Sequence, residues 1–276
     1  MNVLVATDGS KYGQWGLNWV AKLPFVEPPR VTALHVLDRA IYSLPFRTKL
    51  EMQRIEARSA RTIAYTKKQL ASLKLKGRVR SEQGVVASTI LNHIPKQSGL
   101  LVVGNKGLGA LDRFMLGSVS TKLIHHATCP VLVVKGEAVP LKRIALAIDG
   151  SPASAKALEL VRTLFEPDRS SGKGDHVPIH VSVVHVMPFM RYPEVKEAGR
   201  KLVDQSVQKL VKAGFTAEPV CQLGKPAEEI MKVASKHHDD LIVMGAKGVD
   251  AVSRFLLGSV SRRVVQHGNC SVLVVR

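Results

Sequence analysis

GNKGLGALDRFMLGS, residues 104–118, returns as GAKGVDAVSRFLLGS at residues 245–259. Carried on without a gap to Val134 and Val275, the two stretches agree at 17 of 31 positions, all at an offset of 141 residues. Gly104/Gly245, Gly107/Gly248, Arg113/Arg254, Phe114/Phe255, Gly117/Gly258, Ser118/Ser259 and Cys129/Cys270 are among the identities. A repeat of this length means two copies of one structural unit. The same offset pairs Asp8-Gly9-Ser10 with Asp149-Gly150-Ser151, each behind an apolar run. The halves therefore begin alike and end alike, and the expected domains are residues 1–138 and 139–276. His35-Val36 pairs with His185-Val186 at a larger offset, which places an insertion of loop composition within Pro167 to Pro178.

Each copy alternates strand and helix patterns. Short Val/Ile/Leu runs without polar alternation mark strands buried on both faces, near 2–7, 31–37, 78–83, 100–103 and 131–134 in the first copy. The second copy has them near 143–148, 179–186, 216–222, 241–244 and 272–275. Helical patterns fall near 11–23, 48–75, 86–97 and 118–127, then 152–165, 193–213, 226–238 and 259–267. Right-handed crossovers make of this a doubly wound α/β domain with a parallel sheet, twice over. Ser151-Pro152 reads as a cap followed by proline at the first helical position, and Ser118 and Ser259, each after a glycine, read as caps of the same kind.

Composition narrows the class. With 45% hydrophobic and 22% charged residues, the chain reads as folded and water-soluble. The opening MNVLVATDGS lacks a basic leader and carries Asp8 and Gly9, so it reads as a buried strand, and no window reaches the ~20 apolar residues of a bilayer span. Three cysteines without CxxC spacing fit neither a disulfide framework nor a zinc site, which points to a reducing, cytoplasmic setting. The formal net charge is +18, and residues 1–138 hold 20 Lys+Arg against 8 Asp+Glu. Such a field draws polyanions to the first half above all.

In a doubly wound sheet, ligands bind beyond the carboxyl ends of the strands where strand order reverses. Asp8 and Asp149 close the first strand of each copy, and Gly-x2-Gly-x9-Gly-Ser follows the fourth. The first two glycines allow a tight turn and close approach of backbone to a polyanion. The last glycine and the serine open a helix, whose free N–H groups and dipole favour phosphate. Val119 and Val260 add their amides, and a carboxylate at the first strand suits ribose hydroxyls or a phosphate-bound magnesium ion. The pattern is neither a Walker loop nor a dinucleotide fingerprint. Lys106 and Lys247 lie within the loops and read either as phosphate contacts or as solvated lysines.

These loops, with TDGS at 7–10 and IDGS at 148–151, resemble the ATP-binding signature of the universal stress protein family, over nearly the whole chain and twice. The resemblance implies two tandem doubly wound five-stranded parallel-sheet domains of the adenine nucleotide alpha hydrolase-like type. It also implies that their last strands, 131–134 and 272–275, pair to make an intrachain pseudo-dimer. It implies ATP, with magnesium, across strands one, two and four. Carried over by position, the contacts are Ala6, Thr7, Asp8, Val36, Val103, Gly104, Gly107, Gly117, Ser118 and Val119. In the second copy they are Ala147, Ile148, Asp149, Val186, Met244, Gly245, Gly248, Gly258, Ser259 and Val260. Ile148 stands where the first copy has Thr7, a lost hydroxyl that predicts unequal affinities, and Gly99 replaces the counterpart of Asp240.

Other residues read as structural. His35 and His185 sit in apolar strands as hydrogen-bonded core histidines, and the pairs His125-His126 and His237-His238 lack metal-ligand companions. Arg113 and Arg254 suit a phosphate clamp, a dimer contact or plain solvation. No nucleophile has a base beside it, so the expected role is regulatory nucleotide binding with an unidentified protein partner and no dedicated catalysis. Two alternatives stay open: a slow magnesium-dependent ATPase or phosphotransferase on the same loop, and an electrostatic binder of nucleic acid or another polyanion. The last draws on Arg47, Arg54, Arg61 and Lys68, spaced seven apart with Arg58 alongside. A homodimer is a further expectation, and membrane association is not expected.

Overall fold

The computed structural model describes residues 1–39, 48–95, 99–107, 116–170, 176–187, 193–248 and 257–276. It divides into two compact units, residues 1–21 with 28–138 and residues 22–27 with 139–276. Arg47, Arg113 and Arg254 lie outside the described residues.

In the first unit the strands are β1 (Asn2–Ala6), β2 (Arg30–Asp38), β3 (Gly77–Gly84), β4 (Gly99–Gly104) and β5 (Val131–Val134). The helices are α1 (Lys11–Lys22), α2 (Lys49–Ser72), α3 (Val86–Asn92) and α4 (Ser118–His126). The strands pair in the order β3-β2-β1-β4-β5, every pair parallel. Leu100, Leu101, Val102 and Val103 are at most 2% exposed, as strands covered on both faces require.

The second unit repeats this with β6 (Arg143–Ala147), α5 (Pro152–Leu164), β9 (His180–Met187), α6 (Pro193–Lys212), β10 (Thr216–Leu223), α7 (Pro226–Lys236), β11 (Leu241–Gly245), α8 (Ser259–His267) and β12 (Ser271–Val275). Its order β10-β9-β6-β11-β12 is again wholly parallel. In each unit the chain winds one way from the first strand to the second and third, then the other way to the fourth and fifth. The reversal opens a crevice at the carboxyl ends of β1 and β4, and of β6 and β11.

Three expectations need correction. The insertion is not a plain loop: β7 (Asp168–Ser170) and β8 (His176–Pro178) pair antiparallel within it. Ser118 and Ser259 are not caps but the first helical residues. Gly117 and Gly258 hold the cap positions of α4 and α8, and neither supplies a side-chain cap. The third helix of the first unit stops at Asn92, short of the expected 97, because Pro95 disfavours helical backbone in the residue before it and cannot donate into the last turn. No helix among the described residues is long and apolar enough to cross a membrane.

Candidate functional site

At the end of β6 the chain turns through Gly150, whose φ of +81° falls in the region that only glycine enters freely. Gly9 makes the same turn after β1, also at +81°. Each turn is fastened by its aspartate. Ser151 N–H donates to Asp149 Oδ1 at 2.9 Å, and Ser10 N–H to Asp8 Oδ1 at 2.9 Å. The serine then caps the next helix, with Ser151 Oγ accepting from Ser154 N–H (3.2 Å) and Ser10 Oγ from Gly13 N–H (3.3 Å). Ser151 Oγ also donates to Lys247 O at 3.2 Å, tying the first turn to the glycine loop.

The three glycines of that loop do different work. A Cβ on Gly104 would come within 2.6 Å of Tyr12 Cβ, and one on Gly245 within 2.8 Å of Ala153 C and Ser154 N. These glycines let the first helix of each unit cross the fourth strand. A Cβ on Gly107 would meet Asp8 Oδ2 at 2.7 Å, and one on Gly248 would meet Asp149 Oδ2 at 2.9 Å. The loop thus lies against the Oδ2 side of each carboxylate. Around Gly117, by contrast, the protein offers a Cβ only ordinary contacts, the nearest at 3.5 Å, and its φ of −62° suits any residue. Glycine is also a favoured residue at a helix cap, the position Gly117 holds.

The loop ends are clamped. Gly117 N–H donates to Asn105 O and Gly258 N–H to Ala246 O, both at 2.8 Å. Ser120 Oγ donates to Gly104 O at 2.7 Å and Ser261 Oγ to Ala246 O at 2.8 Å. The opening amides of α4 and α8 are thereby held in place with no side-chain cap hydrogen bond among the described residues, whereas Thr48 closes α2 and Ser151 closes α5 with a hydroxyl.

In the second unit these parts surround a cavity of about 480 Å³, within the range of roughly 300–1,000 Å³ common for small-molecule sites. All ten residues expected there line it: Ala147, Ile148, Asp149, Val186, Met244, Gly245, Gly248, Gly258, Ser259 and Val260. So does Lys247, weighed above as a phosphate contact, and so do Ser154, Val184, His185, Pro226, Ile230 and Ser261, which motif spacing did not mark. Pro226 and Ile230 belong to α7, whose approach to β9 is a tertiary fact; Ser154 was readable as the hydroxyl three residues beyond the cap. In the first unit Ala6 ends β1, with Thr7 and Asp8 just beyond. Val36 lies in β2, Val103 and Gly104 end β4, and Gly117, Ser118 and Val119 open α4.

The lost hydroxyl at Ile148 is a relocation. In the first unit Thr7 Oγ1 sits 2.8 Å from where a Cβ on Gly13 would be. In the second, Ile148 has no hydroxyl, but Ser154, the counterpart of Gly13, brings one in from the helix and accepts from Asp149 N–H at 3.4 Å. His35 Nδ1 donates to Thr7 O (3.0 Å) and His185 Nδ1 to Ile148 O (2.9 Å), which bears out their reading as hydrogen-bonded core histidines. Lys106 departs from the solvated alternative. Lys106 is only 8% exposed, and Lys247 lines the cavity with its pKa lowered, first by loss of hydration and then by the Arg276 charge. Among the described residues no group of three or more His, Cys, Asp or Glu could hold a metal ion, and Cys129, Cys221 and Cys270 are free thiols.

The amino ends of the second unit's strands carry a separate polar cluster. Asp240 Oδ2 accepts from Lys142 N–H (2.8 Å) and Arg143 N–H (3.0 Å), a structural role that Gly99 cannot fill in the first unit. Ser182 Oγ donates to Glu218 Oε1 at 3.1 Å and lies 3.0 Å from His237 Nδ1. Asp239 is 5% exposed and neither of its oxygens has a hydrogen-bond partner. Burial pushes its carboxyl up to about 7, the Arg143 guanidinium at 3.9 Å opposing and Asp240 and Glu218 adding.

Residues 1–135 and 140–276 each match the sequence profile of the Universal stress protein family. A universal stress protein of Mycolicibacterium smegmatis is 32% identical across 99% of this chain and 96% of its own. Universal stress protein YxiE of Bacillus subtilis is 33% identical over 49% of this chain and 98% of its own. The crystal structure of a universal stress protein from Archaeoglobus fulgidus matches the fold with a TM-score of 0.73 at 18% identity, covering 100% of this chain and 96% of that one.

Proposed function

Since the chain belongs to the universal stress protein family, with both halves matching its profile, we propose that each domain binds ATP and that loading of these sites is how the protein regulates a partner in a stress response. The observation that carries this is the second unit's cavity, where a carboxylate, an uncapped helix N-terminus and an apolar wall converge. Val184, Val186, Pro226, Ile230 and Met244 supply the apolar wall that a base requires. Asp149 faces the ribose, and the amides of Ser259, Val260 and Ser261 face the phosphates, with the Ser259 hydroxyl beside them. Lys247 adds positive charge at the loop. In the first unit Thr7, Asp8, Gly107, Gly117, Ser118 and Val119 hold the same places.

Magnesium fits as a companion of the phosphates, because among the described residues Asp149 is the carboxylate lining the cavity and a magnesium ion is commonly held by one or two carboxylates together with phosphate oxygens and water. The Nδ1 of His185 is spent on Ile148 O, and among the described residues no nucleophile with a base beside it lines the cavity. The three free thiols agree with a cytoplasmic setting.

The test is to denature freshly purified protein, separate the released small molecules by chromatography and count nucleotide per chain. One to two ATP per chain is the expected outcome. No released nucleotide, together with no heat of binding when ATP and magnesium are added, would leave the fold standing and reduce the glycine loops to structure.

A further inference from the structure

Away from the crevice, the long helix α2 carries a stripe that nucleotide binding does not use. Arg54, Arg58, Arg61, Tyr65 and Lys68 follow one another at spacings of four, three, four and three residues. At 3.6 residues per turn all five fall within a sector of about 80°. All are exposed, while the opposite face buries Ser59, Thr62, Thr66 and Leu70. None of the four cations has an ion-pair partner among the described residues. Tyr65 stands in their midst with 51% of its surface open to solvent. The setting is basic too: residues 49–84 hold ten Lys and Arg against three Glu. The edge strand β3 contributes exposed Arg78 and Arg80.

The same molecule supplies its own control. Matching buried Ser59, Thr66 and Leu70 of α2 to buried Gly199, Ser206 and Leu210 of α6 aligns the two helices. The stripe positions then become Glu194, Ala198, Lys201, Gln205 and Gln208, all exposed and with no net charge. The fold does not require a basic stripe at this place, since its second copy does without one.

We infer that the α2 face of the first domain, Arg54, Arg58, Arg61, Tyr65 and Lys68, is a docking surface for single-stranded nucleic acid. The stripe is about 21 Å long at 1.5 Å per residue, enough to run beside several consecutive phosphates of one strand. Guanidinium forks, three of the four cations, suit phosphate oxygens. An exposed ring amid the phosphate contacts gives an unpaired base a surface to stack on.

The experiment is fluorescence anisotropy of the full chain with a labelled single-stranded oligothymidylate about 12 nucleotides long, more than enough to cover the stripe, across a range of salt concentrations. Four phosphate contacts predict a slope of about −3 in log affinity against log salt, and R54Q/R58Q/R61Q should reduce it to about −1. Y65A should weaken binding at least about fivefold at every salt concentration with the slope unchanged, as loss of stacking demands. K201Q, at the matching place on α6, should change neither. All these side chains are exposed, and unchanged thermal melting verifies that each variant is folded. An unchanged slope in the triple variant overturns the inference. So does equal affinity for an abasic oligomer of the same length or for phosphatidylserine vesicles, either of which would mark a general anion or membrane surface.

Discussion

Glycine at three positions of one loop means three different things, and substitution separates them. At Gly245 the missing Cβ makes room for the α5 backbone 2.8 Å away, so Gly245→Ala should destabilise the second domain by roughly 1–3 kcal/mol, read by denaturant unfolding. At Gly117 the described residues leave space, so Gly117→Ala should cost only about 1 kcal/mol or less, as alanine at a cap does, and lower ATP affinity in the first site about tenfold or more, read by calorimetric titration. Asp239 makes a prediction of another kind. Its carboxyl is raised to about 7 in the fold from an ordinary 3.8, chiefly by burial. A raised folded-state pKa gives stability that is complete below the unfolded value and is lost as pH rises through the folded one. Asp239→Asn removes this dependence. The variant should therefore gain on the wild type between about pH 4 and about pH 7, by up to about 4 kcal/mol, in paired denaturation curves. A constant difference across that window would refute the assignment.

At the scale of elements, helix starts divide the molecule's labour. Thr48 and Glu51 close α2 with a reciprocal capping box on an exposed surface. Ser151 closes α5 and at the same time holds the glycine loop through Lys247 O. Thr48→Ala should cost about 1 kcal/mol and leave nucleotide affinity alone, whereas Ser151→Ala should cost a similar amount and also weaken the second site. Equal affinity in both variants would separate the cap from the site. Strands and helices were legible because buried parallel strands are unbroken apolar runs and the helices repeat every 3.6 residues. The β7-β8 ribbon was not legible, since Asp168-Arg169-Ser170 has no strand composition and its pairing comes from a partner strand. Nor were the caps of α4 and α8. A serine after a glycine looks like a cap, and only backbone angles reveal that the helix begins one residue earlier.

For the whole molecule, duplication predicts two sites that load independently. The hydroxyl missing at Ile148 returns on Ser154, so the second site keeps its polar complement by another route. Gly117→Ala and Gly258→Ala should each lower the bound ATP by one equivalent per chain, and the double variant should bind none, as measured by chromatographic counting. A single substitution that emptied both sites would show coupling between them. The charge is divided less evenly: the first half carries a surplus of twelve positive charges (20 less 8) and the second a surplus of six (20 less 14). Copies that share a fold are free to differ on their solvent faces, because surface charge adds little to stability and much to association.

The sequence by itself determined the duplicated α/β plan, the place of the crevice and the glycine and aspartate positions around it. Each of these is written in local patterns: apolar runs, helical spacing and an exact repeat. Only the tertiary structure decided which glycines are crowded by neighbouring backbone and which are not, that Ser154, Pro226 and Ile230 join the cavity wall, and that Asp239 is buried without a hydrogen-bond partner among the described residues. Those facts depend on distances between residues far apart in the chain, and a linear pattern carries no record of what will stand across from it once the chain has closed.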